Sequence, residues 1–130
     1  MGMRDEEALF RRAVELFNSE DFFECHEVFE ELWVSAVQPD RWFLQSLIHF
    51  AVGLYHYQRG NNRGALRQLN KGLKKIRGYL PSWKGIDTAL IERQFLYCIA
   101  YVKAEQDLTQ LPKIDLTDAR LDRTVSTKKV

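Results

Sequence analysis

His26, Glu30 and Trp33 stand at i, i+4 and i+7 within residues 21–33, DFFECHEVFEELW. On a helix, side chains three and four apart project from one side, a turn above each other. An imidazole, a carboxylate and an indole are therefore aligned beside an apolar stripe of Phe22, Cys25, Phe29 and Leu32. Such a stripe normally faces a core. A charge at its edge needs a hydrogen-bonding partner or a metal ion, because burying it unpaired is costly.

The chain has three histidines, and all lie between positions 26 and 56. Gln45, His49, Val52 and His56 fall at i, i+4, i+7 and i+11, a second stripe one helix later. If the two helices form an antiparallel hairpin, that stripe faces His26 and Glu30. Imidazoles plus a carboxylate are a ligand set for zinc, manganese or iron. Seven residues of helix rise by about 10.5 Å, and metal–nitrogen bonds are about 2.0–2.1 Å, so one ion cannot take both His49 and His56. The hypothetical ligand set is His26, Glu30 and His56, with Trp33, Gln45, His49 and Glu31 as wall or surroundings. Three protein ligands leave a position open for hydrolytic or lyase-like chemistry on a small substrate, with Glu27 as the candidate general base. The competing reading is a buried His–Glu hydrogen bond, completed by Gln45 and His56. The order His26-Glu27-Val28-Phe29-Glu30 lacks the second histidine of HExxH, which argues against a zinc protease.

Five helices must position these groups. Leu9, Ala13, Leu16 and Phe17 predict a first helix from about Arg4 to Asn18, with Asp5, Glu6 and Glu7 at its positive end. Asp21 followed by Glu24 has the form of a capping box and predicts a second helix reaching about Val37. Pro39-Asp40 marks a turn and a new cap. A third helix is expected over about Arg41 to Arg59, stopped by Gly60. A fourth is capped by Asn61 or Asn62 and reaches Tyr79, and a fifth runs from the Asp87 cap to about Leu108. No segment alternates with period two, so the fold class is all-α, a compact bundle. A faint repeat, with Ala13, Leu16 and Phe17 matching Ala51, Leu54 and Tyr55, suggests two tetratricopeptide-like hairpins plus a C-terminal helix and tail. Residues 1–115 are expected to form a single domain. Leu111–Ile114 should pack back on it, and 116–130 form a polar, mobile tail.

Residues 1–40 hold eleven acids and three bases, whereas 41–86 hold nine bases and no acid, although the net charge is +1. Internal complementarity between the halves is the expectation, with a basic outer face as the alternative. Cys25 and Cys98 lie in apolar helical patterns without metal-type spacing and read as reduced, buried thiols, a bridge between them staying open. No run approaches the roughly 20 apolar residues of a membrane span. No signal-peptide core opens the chain, so a cytoplasmic protein without membrane association is expected.

Phe22–Trp33, together with Leu44-Gln45, Ala51, Tyr55-His56, Gly60-Asn61 and Gly64-Ala65, resembles domain-of-unknown-function family 309, whose hallmark HxxxExxW is matched by His26, Glu30 and Trp33. The resemblance covers roughly residues 5–114. It implies a small all-helical domain and a motif for which metal binding has been suggested, with no established reaction. Ser46 and His49 are less typical of that family, so the resemblance does not extend the site to His49.

Two further function classes compete. The tetratricopeptide-like hairpins could present a groove to a protein partner or to a second copy of the chain. Alternatively, Arg63, Arg67, Lys71, Lys74 and Lys75, at i, i+4, i+8, i+11 and i+12, give the fourth helix a basic face able to meet phosphates. Nucleic acid is the less favoured partner, because the aromatics sit mostly at core-facing positions.

Overall fold

The helical spacing becomes five α-helices in a computed structural model that describes residues 3–116: α1 Met3–Asn18, α2 Phe22–Ser35, α3 Asp40–Gln58, α4 Asn62–Ile76 and α5 Thr88–Lys103, with a 3-10 turn at Arg77–Tyr79. Among the described residues there is no strand, only isolated bridges of Ile86 with Trp83 and with Leu116. The all-α bundle is the fold. Each helix packs on the next, and α3 is sandwiched between α2 and α4.

The helix starts differ in how they are made. Asn61 and Asp87 cap α4 and α5 by accepting from Gly64 N and Leu90 N, each at 2.9 Å. Asp21 precedes α2 but makes no capping hydrogen bond, so the expected box with Glu24 does not form. Asp40 lies inside α3, after Pro39, and its carboxylate instead takes Lys84 Nζ at 2.6 Å. α5 stops at Lys103, five residues short of the expected end, because Glu105 turns left-handed (φ 57). Glu105 N and Gln106 N then close on Val102 O and Tyr101 O. No glycine marks this stop in the sequence.

Phe17, Phe22, Phe29, Phe50 and Phe95 fill the centre, all at 1% exposure or less. Phe50 stacks on Phe95, with centroids 3.6 Å apart and planes 9° from parallel, joining α3 to α5. Two glycines let α3 and α4 approach: a Cβ on Gly53 would lie 2.8 Å from Leu69, and one on Gly72 would lie 2.5 Å from the Phe50 ring. This close approach sets the spacing of every side chain that faces across the α3–α4 seam. Cys25 and Cys98 are free, fully buried thiols, and burial pushes each pKa up to about 12. Leu111–Ile114 does pack back: Ile114 is buried, and its amide and carbonyl both pair with the Asn18 side chain at 2.8 and 2.9 Å. Of the expected tail, Leu116 is partly buried against the core, and residues 117–130 lie outside the described residues. No described helix is long and apolar enough to cross a membrane.

Candidate functional site

The buried side of α2 is Phe22, Cys25 and Phe29. Each step along a helix turns about 100°, so His26 and Glu30, one step past Cys25 and Phe29, sit on the shoulder and not in the core. His26 keeps 17% of its side-chain exposure and Glu30 53%. This differs from the inward-facing arrangement that the stripe suggested, and the helical phase explains it. Both residues remain neighbours, with His26 Nε2 3.7 Å from Glu30 Oε1. The other ring nitrogen, Nδ1, lies 2.5 Å from Phe23 O and can only donate to that carbonyl. With Nδ1 engaged by Phe23 O, Nε2 is the ring nitrogen turned toward the carboxylate.

The remaining predicted members are dispersed. His56 Nδ1 faces Asn61 Nδ2 at 3.4 Å, in the last turn of α3. No group of three or more His, Cys, Asp or Glu side chains disposed to hold a metal ion occurs among the described residues, so His56 does not join the His26–Glu30 pair. The hypothetical triad of His26, Glu30 and His56 is thus brought together only in its first two members. Gln45 is half-buried on α3, while Glu27 and Glu31 are exposed on α2. Neither of two surface depressions, one along Arg93, Tyr97 and Pro112 and the other along Glu20, Tyr57 and Lys113, includes His26, Glu27 or Glu30.

Trp33 has a different partner from the one its spacing suggested. The Arg41 guanidinium lies 3.9 Å from its ring centroid. The same group donates to Trp33 O at 2.9 Å and to Ala36 O at 3.2 Å. It thus adds a second donor to Trp33 O, which already accepts from Ala36 N at 3.1 Å, and pairs with Ala36 O just past the helix, as a cation at a helix C-terminus does. At the other end of the hairpin, Phe23 packs edge-on against His26 (4.9 Å) and at a tilt against Tyr55 of α3 (5.3 Å). The result is one outward stripe, Phe23, Glu27, Glu30 and Val34, at i, i+4, i+7 and i+11. Phe23 is 48% exposed and Val34 71%, with Val37 beyond it at 76%. Apolar ends with an acidic middle were legible in the sequence as spacing, but the exposure of the ends was not.

His49 belongs to another group. Its Nδ1 pairs with Gln68 Oε1 at 2.8 Å and its Nε2 with Lys75 Nζ at 3.3 Å. Burial holds its pKa below 6.5; the hydrogen bond to Gln68 opposes that shift, and the charges of Lys75 and Lys71 add to it. A neutral ring with Nδ1–H donating to Gln68 and Nε2 accepting from Lys75 satisfies both contacts. The expected internal charge complementarity is not what the ion pairs show. Lys84–Asp40 joins the acidic and basic segments. Among the described residues, no carboxylate lies within ion-pair distance of Arg63, Arg67, Lys71, Lys74 or Lys75. The basic face points outward.

The family resemblance holds in the comparisons. The family model described as Domain of unknown function (DUF309) matches residues 10–68. The matched part contains HxxxExxW, Tyr55-His56 and Gly64-Ala65, but not Lys71, Lys74 or Lys75. A segment of 62 residues is 37% identical to "Uncharacterized protein YpuF" of Bacillus subtilis (strain 168), covering 47% of this chain and 36% of that relative. The matched segment thus spans about a third of the relative's length.

Proposed function

We propose that this chain, similar over α1 to the start of α4 to the family of unknown function 309, is a non-catalytic recognition domain. In this reading α2 docks a cationic, amphipathic segment of another protein. The observation that carries it is the outward stripe of α2: exposed Phe23 and Val34 bracket the exposed carboxylates of Glu27 and Glu30. The stripe rises by about 16 Å over eleven residues, which suits three turns of a partner helix with apolar ends and lysine or arginine in the middle. Exposed apolar groups rimmed by charge are the usual surface of such contacts. The packing of α1 on α2 and of α3 on α4 supports the same reading, because stacked helical hairpins can present helix faces to peptides. The stripe and its supports, Arg41 and Tyr55, all lie in the segment matched by the family model.

Calorimetry with a leucine–lysine amphipathic peptide tests it. Glu27→Lys combined with Glu30→Lys turns two exposed attractions into repulsions, which should weaken binding about tenfold. Phe23→Ala should weaken it independently of salt. Equal affinity of the wild type for a leucine–glutamate peptide would sink the proposal.

A divalent cation is the second reading, favoured by the facing of His26 Nε2 and Glu30 Oε1. Those two residues would hold the ion, and the His26–Phe23 contact fixes the imidazole as an oriented ligand in metal sites is fixed. A bound zinc, manganese or iron would supply Lewis acidity there. Elemental analysis of untagged protein, with a chelator melt, checks this reading. Stoichiometric metal lost on both His26→Ala and Glu30→Gln is the expected result, and metal retained by either variant rejects the pair as its site.

A further inference from the structure

We propose that the outer face of α4 and the indole of Trp42 together bind single-stranded nucleic acid, phosphates lying along the helix and an unpaired base against the ring. Arg63, Arg67, Lys71 and Lys74 are exposed on α4, a line rising by about 16 Å from first to last. Among the described residues no carboxylate neutralises them, so they form an unbalanced positive field. The fifth cation is held in place. Lys75 Nζ donates to His49 Nε2 at 3.3 Å, and His49 Nδ1 donates to Gln68 Oε1 at 2.8 Å. That ammonium lies 5.5 Å from the centroid of the Trp42 ring, which stays 52% exposed. An anchored cation thus sits over the ring of a half-exposed indole, at the end of a row of cations without a carboxylate partner among the described residues.

The ligand that answers all of this is a polyanion whose units carry flat faces. Phosphates supply the charge and bases the stacking, without any need for base-edge readout. Most aromatics occupy core-facing positions, but Trp42 does not. Crowding by Lys71 and Lys74 holds the Lys75 pKa down, beside the larger effect of burial, and an incoming phosphate would relieve that repulsion. A membrane surface fits less well, because a helix that lies in an interface buries an apolar face. The exposed positions of α4, Arg63, Arg67, Asn70, Lys71 and Lys74, carry no apolar side chain.

The test is fluorescence anisotropy of the full chain with a labelled oligouridylate of about 12 nucleotides. Expected is binding that weakens roughly 15- to 60-fold between about 50 and 200 mM salt, the slope of three or four phosphate contacts. Arg67→Glu with Lys71→Glu and Lys74→Glu should abolish it. Trp42→Ala should cost about tenfold, with Trp42→Phe restoring most of the loss, as stacking predicts. Unchanged thermal melts of these exposed variants separate binding from folding. No single-strand binding at the lower salt overturns the proposal. So does equal affinity for a blunt duplex with no effect of Trp42→Ala, which would mark a merely basic surface. Co-sedimentation with phosphatidylcholine–phosphatidylglycerol vesicles in the absence of oligonucleotide binding would replace it with a lipid surface.

Discussion

Gly72→Val is expected to lower the unfolding free energy by about 3 kcal/mol, the upper range for overpacking a filled core. A Cβ there would lie 2.5 and 2.6 Å from two carbons of the Phe50 ring and 3.0 Å from Ser46 O. A flexible side chain could turn away from such a contact. Phe50 cannot, because its other face lies flat on Phe95 at 3.6 Å and it is fully buried. The strain must then pass into the separation of α3 from α4. Replacing glycine within a helix returns only a few tenths of a kcal/mol through the better propensity of valine, far less than the clash costs. Urea unfolding should show a lower midpoint with an unchanged slope. Gly78→Ala is the control: a Cβ there meets nothing within 4 Å, so the variant should match the parent or exceed it slightly. A Gly72→Val protein as stable as the parent would mean that the seam is looser than the ring stacking shows. Because Gln68 and Lys75 of α4 face His49 across this seam, the same variant should also disturb the Trp42–Lys75 corner.

The legibility of this fold followed the physics of each signal. Apolar periodicity reports burial over many residues at once, so all five helices were readable. Asn61 and Asp87 cap as expected because the carboxamide or carboxylate beside a helix start has one obvious use. Asp40 fails as a cap because the helix starts one residue earlier than expected, with Pro39 at the cap position, and its carboxylate pairs with Lys84 instead. For the site, spacing correctly made His26 and Glu30 neighbours. It could not say that a 100° step from the buried Phe29 leaves Glu30 outside, nor that His56 would turn to Asn61. His49, placed beside the motif by its stripe, belongs instead to Gln68 and Lys75 of α4. Side chains on a central helix have two neighbours to choose from, and one sequence does not record which. Trp42 was missed for a related reason: an aromatic in an apolar run reads as core unless the phase of the whole helix is known.

Arg41→Ala should destabilise the protein by about 2 kcal/mol, more than an exposed arginine would, because one guanidinium makes two charge-assisted hydrogen bonds and a cation–π contact. Those contacts all fall on the last turn of α2: Trp33 O at 2.9 Å, Ala36 O at 3.2 Å and the Trp33 ring at 3.9 Å. Trp33 O keeps its bond from Ala36 N if Arg41 is lost, whereas Ala36 O must turn to water. Arg41→Lys should recover less than half of the loss, since an ammonium reaching the two carbonyls that Nη1 serves has no planar guanidinium to lie against the indole. Thermal unfolding measures the stability, and the Trp33 indole resonance reports on the ring directly. A lysine variant as stable as the parent would reduce the contact to simple charge at a helix terminus. The consequence reaches function. Trp33 closes the HxxxExxW motif, and Arg41 fixes the turn that carries Val34 and Val37. Loosening this corner should weaken capture of the cationic peptide even though Glu27 and Glu30 are untouched. If Arg41→Ala weakens the fold and leaves peptide affinity intact, the apolar end of the stripe takes no part in recognition.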